Sequence, residues 1–171
     1  VDEYIKQTAW KALPAIFVGS DSSIPRGYDL VQLDQKDLKY QITTDPKEIR
    51  NFIKLNFKNS IIFSTYHSCH VVGKALKNKT IDFAIFDEAH KTTGADGTFA
   101  SFGLRDENIK INKRLFMTAT PKKYARKSSK DSDISVNVMG DSSIYGEVAH
   151  YLSFYKAAKL GIICKYKLII S

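Results

Sequence analysis

A chain of 171 residues holds one domain, or one domain with part of another, and its 43% apolar and 12% aromatic content can build a core, which excludes a disordered chain. A net charge of +8 and a pI near 9.4 favour a polyanionic partner such as nucleic acid, although a merely basic domain is the plainer reading of charge alone. No stretch approaches the roughly 20 apolar residues of a membrane span, and no signal peptide is visible.

In chain order, "VDEYIKQTAWKAL" has roughly helical spacing and stops at Pro14. "AIFVGS" reads as a short buried strand, and 21–40 as an irregular connection. "TTDPKEIRNFIKLNF" enters a helix: Thr44 or Asp45 caps it, Pro46 starts the first turn, and Ile49, Phe52 and Ile53 share a face. "SIIFSTY" is a second strand. "HSCHVVGKALKN" is a helix with Val71, Val72, Ala75 and Leu76 inward. "IDFAIFD" and "RLFMTAT" are further strands. None of these runs alternates with polar residues, the pattern of strands covered on both faces. Strands separated by helices imply right-handed crossovers and a mainly parallel sheet flanked by helices, an α/β fold. The segment 122–143 is polar and basic and reads as a loop, followed by a helix that ends at Gly161 and the start of another strand.

Charge is unevenly spread. From Lys110 to Lys130 the chain carries eight lysines and arginines and no carboxylate, among them Lys122, Lys123 and Arg126. Such a run can follow a phosphate backbone, and a solvated loop explains it almost as simply. The serines and lysines there lack the aromatic residues of a stacking platform. Cys69 and Cys164 lie far apart without metal-ligand spacing, which suits a reducing cytoplasm. "HSCH" does not match zinc-finger or ribbon spacing.

In open parallel sheets, ligands bind beyond the carboxyl ends of the strands. Three strands here end on polar groups: Ser64-Thr65, Asp87-Glu88 and Thr118-Ala119-Thr120. Asp87 at a strand tip suits a Mg²⁺ ion held through water, and Glu88 suits a group that orients or deprotonates a water. The alternative is a solvated strand exit or a helix cap.

The order of these segments adds a resemblance. "DEAH" after one apolar strand and "MTATP" after the next, about thirty residues on, resemble motifs II and III of superfamily 2 helicases. "STYHS", "FDEAHKTTG" and "RLFMTATP" narrow this to the motor part of restriction-type helicases, the relatives of type I and type III restriction subunits. "YGEVAHYLSFYKAAKLGIICKYKL" resembles that family's passage into its second RecA-like domain. The resemblance implies an incomplete RecA-like P-loop NTPase domain over 1–150, with 151–171 leading to the next domain. It implies an ATP- and Mg²⁺-dependent helicase or translocase that tracks DNA. Asp87 would hold Mg²⁺ through water, Glu88 would activate the attacking water, and His90, Thr118 and Thr120 would link the nucleotide site to motif III. Ser64, Thr65 and Tyr66 would lie near the tracked strand. His67 stands where glutamine is more usual.

A phosphate cradle of the form G-x-x-x-x-G-K-[ST] is absent from the sequence. The one Gly-Lys pair, Gly73-Lys74, is followed by alanine. The chain begins without methionine and stops within "KYKLIIS", so we expect a piece of a longer motor whose remainder is a partner. In that fold the P-loop strand lies beside "RLFMTAT", whose open edge would favour self-association. A non-catalytic, basic nucleic-acid-binding module is the alternative function.

Overall fold

The computed structural model describes residues 13–19, 41–56, 59–95, 98–122 and 136–164, with only the backbone of Ala95 and Val136. The expected N-terminal helix, the connection over 21–40 and the strand starting after Cys164 lie outside these residues.

Strand β1, Ala15–Val18, follows Pro14 as expected and buries Ile16 and Val18. It forms the centre of a three-stranded parallel sheet, between β2, Gln41–Thr43, and β3, Ile61–Ser64. The sequence reading missed β2, whose three residues are too few to show a pattern. The helix Pro46–Leu55 follows β2 directly. Asp45 is its cap and accepts the Lys47 N–H at 2.8 Å, while Pro46 occupies the first turn, where no N–H is required. Ile49 is fully buried, with Phe52 and Ile53 packed on the same core.

The helix Cys69–Leu76 buries Val71, Val72, Ala75 and Leu76, the four residues expected to face inward. Its Gly73 explains the Gly-Lys pair without any phosphate: a Cβ there would stand 2.9 Å from the Asn108 carbonyl oxygen and 2.9 Å from the Phe102 ring. Gly73 is a close-packing glycine inside a helix.

A second parallel pair is formed by β4, Ile81–Phe86, and β6, Ile111–Phe116, in register from Ile81 opposite Ile111 to Phe86 opposite Phe116. This moves the last strand earlier than "RLFMTAT" suggested: Met117 to Thr120 lie beyond the strand end. Ile16, Val18, Ile49, Val72, Phe86 and Ile111 belong to one apolar cluster, so both sheet pieces share a core.

One expectation fails on β4 and β6. Phe83 is 53% exposed and Ile85 57%, with Leu115 and Met117 also exposed. Side chains alternate across a strand, so Phe86 and Phe116 face the core while Phe83, Ile85 and Leu115 face the opposite way. Among the described residues that second face is open, and β6 pairs with β4 alone.

The stretch read as a loop is partly ordered. Val136–Asn137, β7, pairs antiparallel with Gly94–Ala95, β5, and a short helix spans Ser142–Tyr145. Residues 123–135 lie outside the described set. The helix Phe154–Lys159 is capped by Ser153, and the chain leaves it through Gly161 at φ 72°, close to where the sequence placed the end. No helix among the described residues is long and apolar enough to cross a membrane.

Candidate functional site

The carboxyl ends of β3, β4 and β6 meet, and the chain turns sharply as it leaves each. At the end of β3, the Thr65 N–H donates to the Val18 carbonyl at 3.2 Å, and the Thr65 hydroxyl accepts the Ser68 N–H at 3.3 Å. That cap opens a tight turn over Tyr66–Ser68. It sends the Tyr66 side chain toward β4, where its hydroxyl donates to the Asp87 carbonyl at 2.7 Å. Half-burial, with the Asp87 charge next in effect, pushes the Tyr66 hydroxyl up to about 12. Ser64 is exposed, and its hydroxyl donates to the Thr65 carbonyl.

At the end of β4 the doublet emerges exposed. Asp87 accepts the Glu88 N–H on Oδ1 at 2.9 Å. Glu88 lies in the left-handed region at φ 51° and ψ 44°, a setting that costs a non-glycine residue roughly 1–3 kcal/mol and persists only where neighbours impose it. Those neighbours are visible. The Met117 N–H donates to the Phe86 carbonyl at 2.9 Å, and the Ala89 N–H returns to the Met117 carbonyl at 2.9 Å. The acidic turn is thereby tied to the chain leaving β6.

Side chains bind the same two tips together. His90 Nδ1 lies 3.0 Å from the Thr118 hydroxyl, 3.2 Å from the Thr120 hydroxyl and 3.2 Å from Glu88 Oε2. One ring nitrogen carries at most one proton or offers one lone pair, so His90 cannot satisfy all three at once. Thr118 also accepts the Thr120 N–H at 3.1 Å, which folds the tip back on itself.

Asp87, Glu88, His90, Thr118 and Thr120 therefore form one cluster, with Tyr66 behind it. Lys122 is exposed just beyond, while Lys123 and Arg126 lie outside the described residues. Arg114, counted in the basic run, is engaged internally: it pairs with Asp106 and donates to the Gly103 carbonyl at 3.4 Å. That contact holds the Asp106 carboxyl below the usual range.

Two residues escaped the sequence reading. Buried Thr92 donates to the Ala89 carbonyl at 2.8 Å, so the Tyr145 hydroxyl, 2.9 Å away, is the donor to Thr92. The Tyr145 ring packs edge-on against Phe116 at 4.9 Å. No local signal joins positions 53 residues apart.

A parallel sheet flanked by helices, with an acidic turn and a hydroxyl-bearing tip side by side, is the architecture of a helicase-like RecA domain. Solved structures that share it include two restriction enzymes. One is the ATP-dependent type ISP restriction-modification enzyme LlaBIII bound to DNA, at TM-score 0.66 and 31% identity over 91% of this chain and 11% of that one. The other is a nuclease-deletion mutant of the type ISP enzyme LlaGI in complex with a DNA substrate mimic, at TM-score 0.69 and 32% identity over 94% and 12%. No curated protein sequence gives a match. The family profile described as type III restriction enzyme, res subunit, matches residues 28–123, and this chain belongs to that family. It spans about a ninth of the length of the two solved chains.

Proposed function

We propose that the chain is the motif II and motif III portion of an ATP-driven DNA translocase or helicase, with residues 1–150 in the first RecA-like domain and 151–171 leading to the second. The carrying observation is the cluster itself: Glu88, His90, Thr118 and Thr120 within hydrogen-bonding distance at the joined ends of two parallel strands.

Glu88 takes the proton of the attacking water as the water oxygen bonds to the terminal phosphorus and the bond to the leaving diphosphate breaks. His90 bears on both Glu88 and the hydroxyls of Thr118 and Thr120. A change at the β6 tip therefore alters the carboxylate that handles the water. The donor set fits Mg²⁺ in a particular way: among the described residues no group of three His, Cys, Asp or Glu side chains could hold a metal. Mg²⁺ at phosphate sites needs only one or two carboxylates, with water and phosphate oxygens completing the shell, and Asp87 supplies one. Bound there, the ion would offset charge on the phosphates. DNA is the proposed track, contacted near Ser64, Thr65, Tyr66, Lys122, Lys123 and Arg126. The cradle for the phosphates comes from another part of the longer protein, which acts in the cytoplasm.

A variant test follows. In the full-length protein, Glu88→Gln should lower ATP turnover by about a hundredfold or more while nucleotide affinity changes only a few-fold. Normal turnover in that variant would remove Glu88 from its role.

A second reading is a non-catalytic DNA-binding module, favoured by the charge of +8 and the absent phosphate-loop sequence. It requires salt-sensitive DNA binding with no nucleotide dependence.

A further inference from the structure

We propose that Tyr66 is a positioning residue for the acidic doublet, its hydroxyl pinning the Asp87–Glu88 peptide in the orientation that the left-handed backbone of Glu88 requires. What the doublet does rests on the reading above; the tether itself rests on geometry. The Asp87 carbonyl and the Glu88 N–H belong to one rigid peptide plane. Its carbonyl end accepts the Tyr66 hydroxyl at 2.7 Å, and its N–H end donates to Asp87 Oδ1 at 2.9 Å. Relaxing Glu88 from φ 51° turns the peptides on its two sides relative to each other, so it loosens either the Tyr66 bond before it or the Ala89–Met117 bond after it. On the far side of Glu88, the Ala89 N–H is fixed to Met117. Glu88 is thus clamped from both sides, by β3 through Tyr66 and by the chain leaving β6 through Met117.

The tether also joins two parts of the site that the chain separates by 21 residues. Tyr66 follows immediately on Ser64 and Thr65, with which it forms the proposed DNA-facing tip of β3, and its ring is held beside Phe86 at 6.5 Å between centroids. A shift of the β3 tip on a DNA backbone reaches the Asp87 carbonyl through one side chain. Phenylalanine at 66 keeps the ring and removes only the hydroxyl.

The test compares full-length wild type with Tyr66→Phe by two measurements. In steady-state ATP hydrolysis with duplex DNA, we expect kcat about tenfold lower and KM for ATP within about twofold, the signature of lost positioning without lost binding. In amide hydrogen exchange across 85–91, we expect the Glu88 amide to exchange about tenfold faster, with the melting temperature within about 2 °C of wild type. Unchanged exchange and unchanged kcat overturn the proposal. A melting temperature and an ATP affinity that fall together with kcat overturn it too, because the hydroxyl then serves only general stability. If the full-length protein hydrolyses no ATP, the functional reading fails, and the exchange measurement alone decides the tether.

Discussion

Glu88 is one of two non-glycine residues with positive φ among those described; the other, Lys77, closes a helix. Strain at a helix end is ordinary, whereas on an exposed carboxylate at a strand tip it supports the role proposed for Glu88. With the backbone so set, the Glu88 carboxylate lies 3.2 Å from His90. Partial burial acts on a different residue, Cys69. Desolvation pushes the Cys69 thiol up to about 11, so at pH 8 only roughly a thousandth of it is the reactive thiolate. Cys164 is exposed. Limited iodoacetamide at pH 8, followed by peptide mass spectrometry, should find Cys164 alkylated well before Cys69. Equal labelling would mean the helix Cys69–Leu76 does not pack as described.

At the scale of elements, the same helix gives the sharpest packing test. Gly73 sits against the Asn108 carbonyl and the Phe102 ring, each 2.9 Å from where a Cβ would stand. Alanine is the better helix former by about 1 kcal/mol, and in an open site Gly73→Ala would stabilise. Here the backbone oxygen cannot swing aside as a side chain would, so overpacking wins, with a net loss of about 1–2 kcal/mol read by urea denaturation. A gain in stability would show that the turn at Phe102–Asn108 lies elsewhere.

Elements also show where the sequence spoke clearly. β1, β3 and β4 were legible because short apolar runs bounded by Pro, Ser or Asp leave few other options. The helix Pro46–Leu55 was legible from Asp45, Pro46 and the Ile49 face. β6 was only half legible: its first residues, Ile111 to Arg114, are one apolar residue followed by three polar ones, and the apolar cluster from Leu115 drew the strand too far along the chain. β5 and β7 were invisible, since two-residue strands joined by backbone bonds across forty positions carry no side-chain signature. Within the site, Asp87, Glu88, His90, Thr118 and Thr120 could be picked out by motif. The Tyr145 contact to Thr92 could not, because it depends on where the chain returns after β7.

For the molecule as a whole, the two strand pairs share one core yet leave an apolar face at Phe83, Ile85 and Leu115 and a β6 edge bonded only to β4 among the described residues. Open apolar faces and edges of this kind are normally covered by further structure. That agrees with a segment spanning 11–12% of the restriction-enzyme chains it matches. The helix Ser142–Tyr145 touches the turn after β4 through Thr92 and β6 through Phe116, before the chain passes on to Phe154–Lys159.

The most direct measurement is hydrolysis of ATP by the full-length protein in the presence of Mg²⁺, with and without duplex DNA. The account predicts turnover that rises when DNA is added and disappears when the metal is chelated. A full-length protein that binds DNA with steep salt dependence but hydrolyses no ATP in either condition would contradict it and leave the binding-module reading in its place.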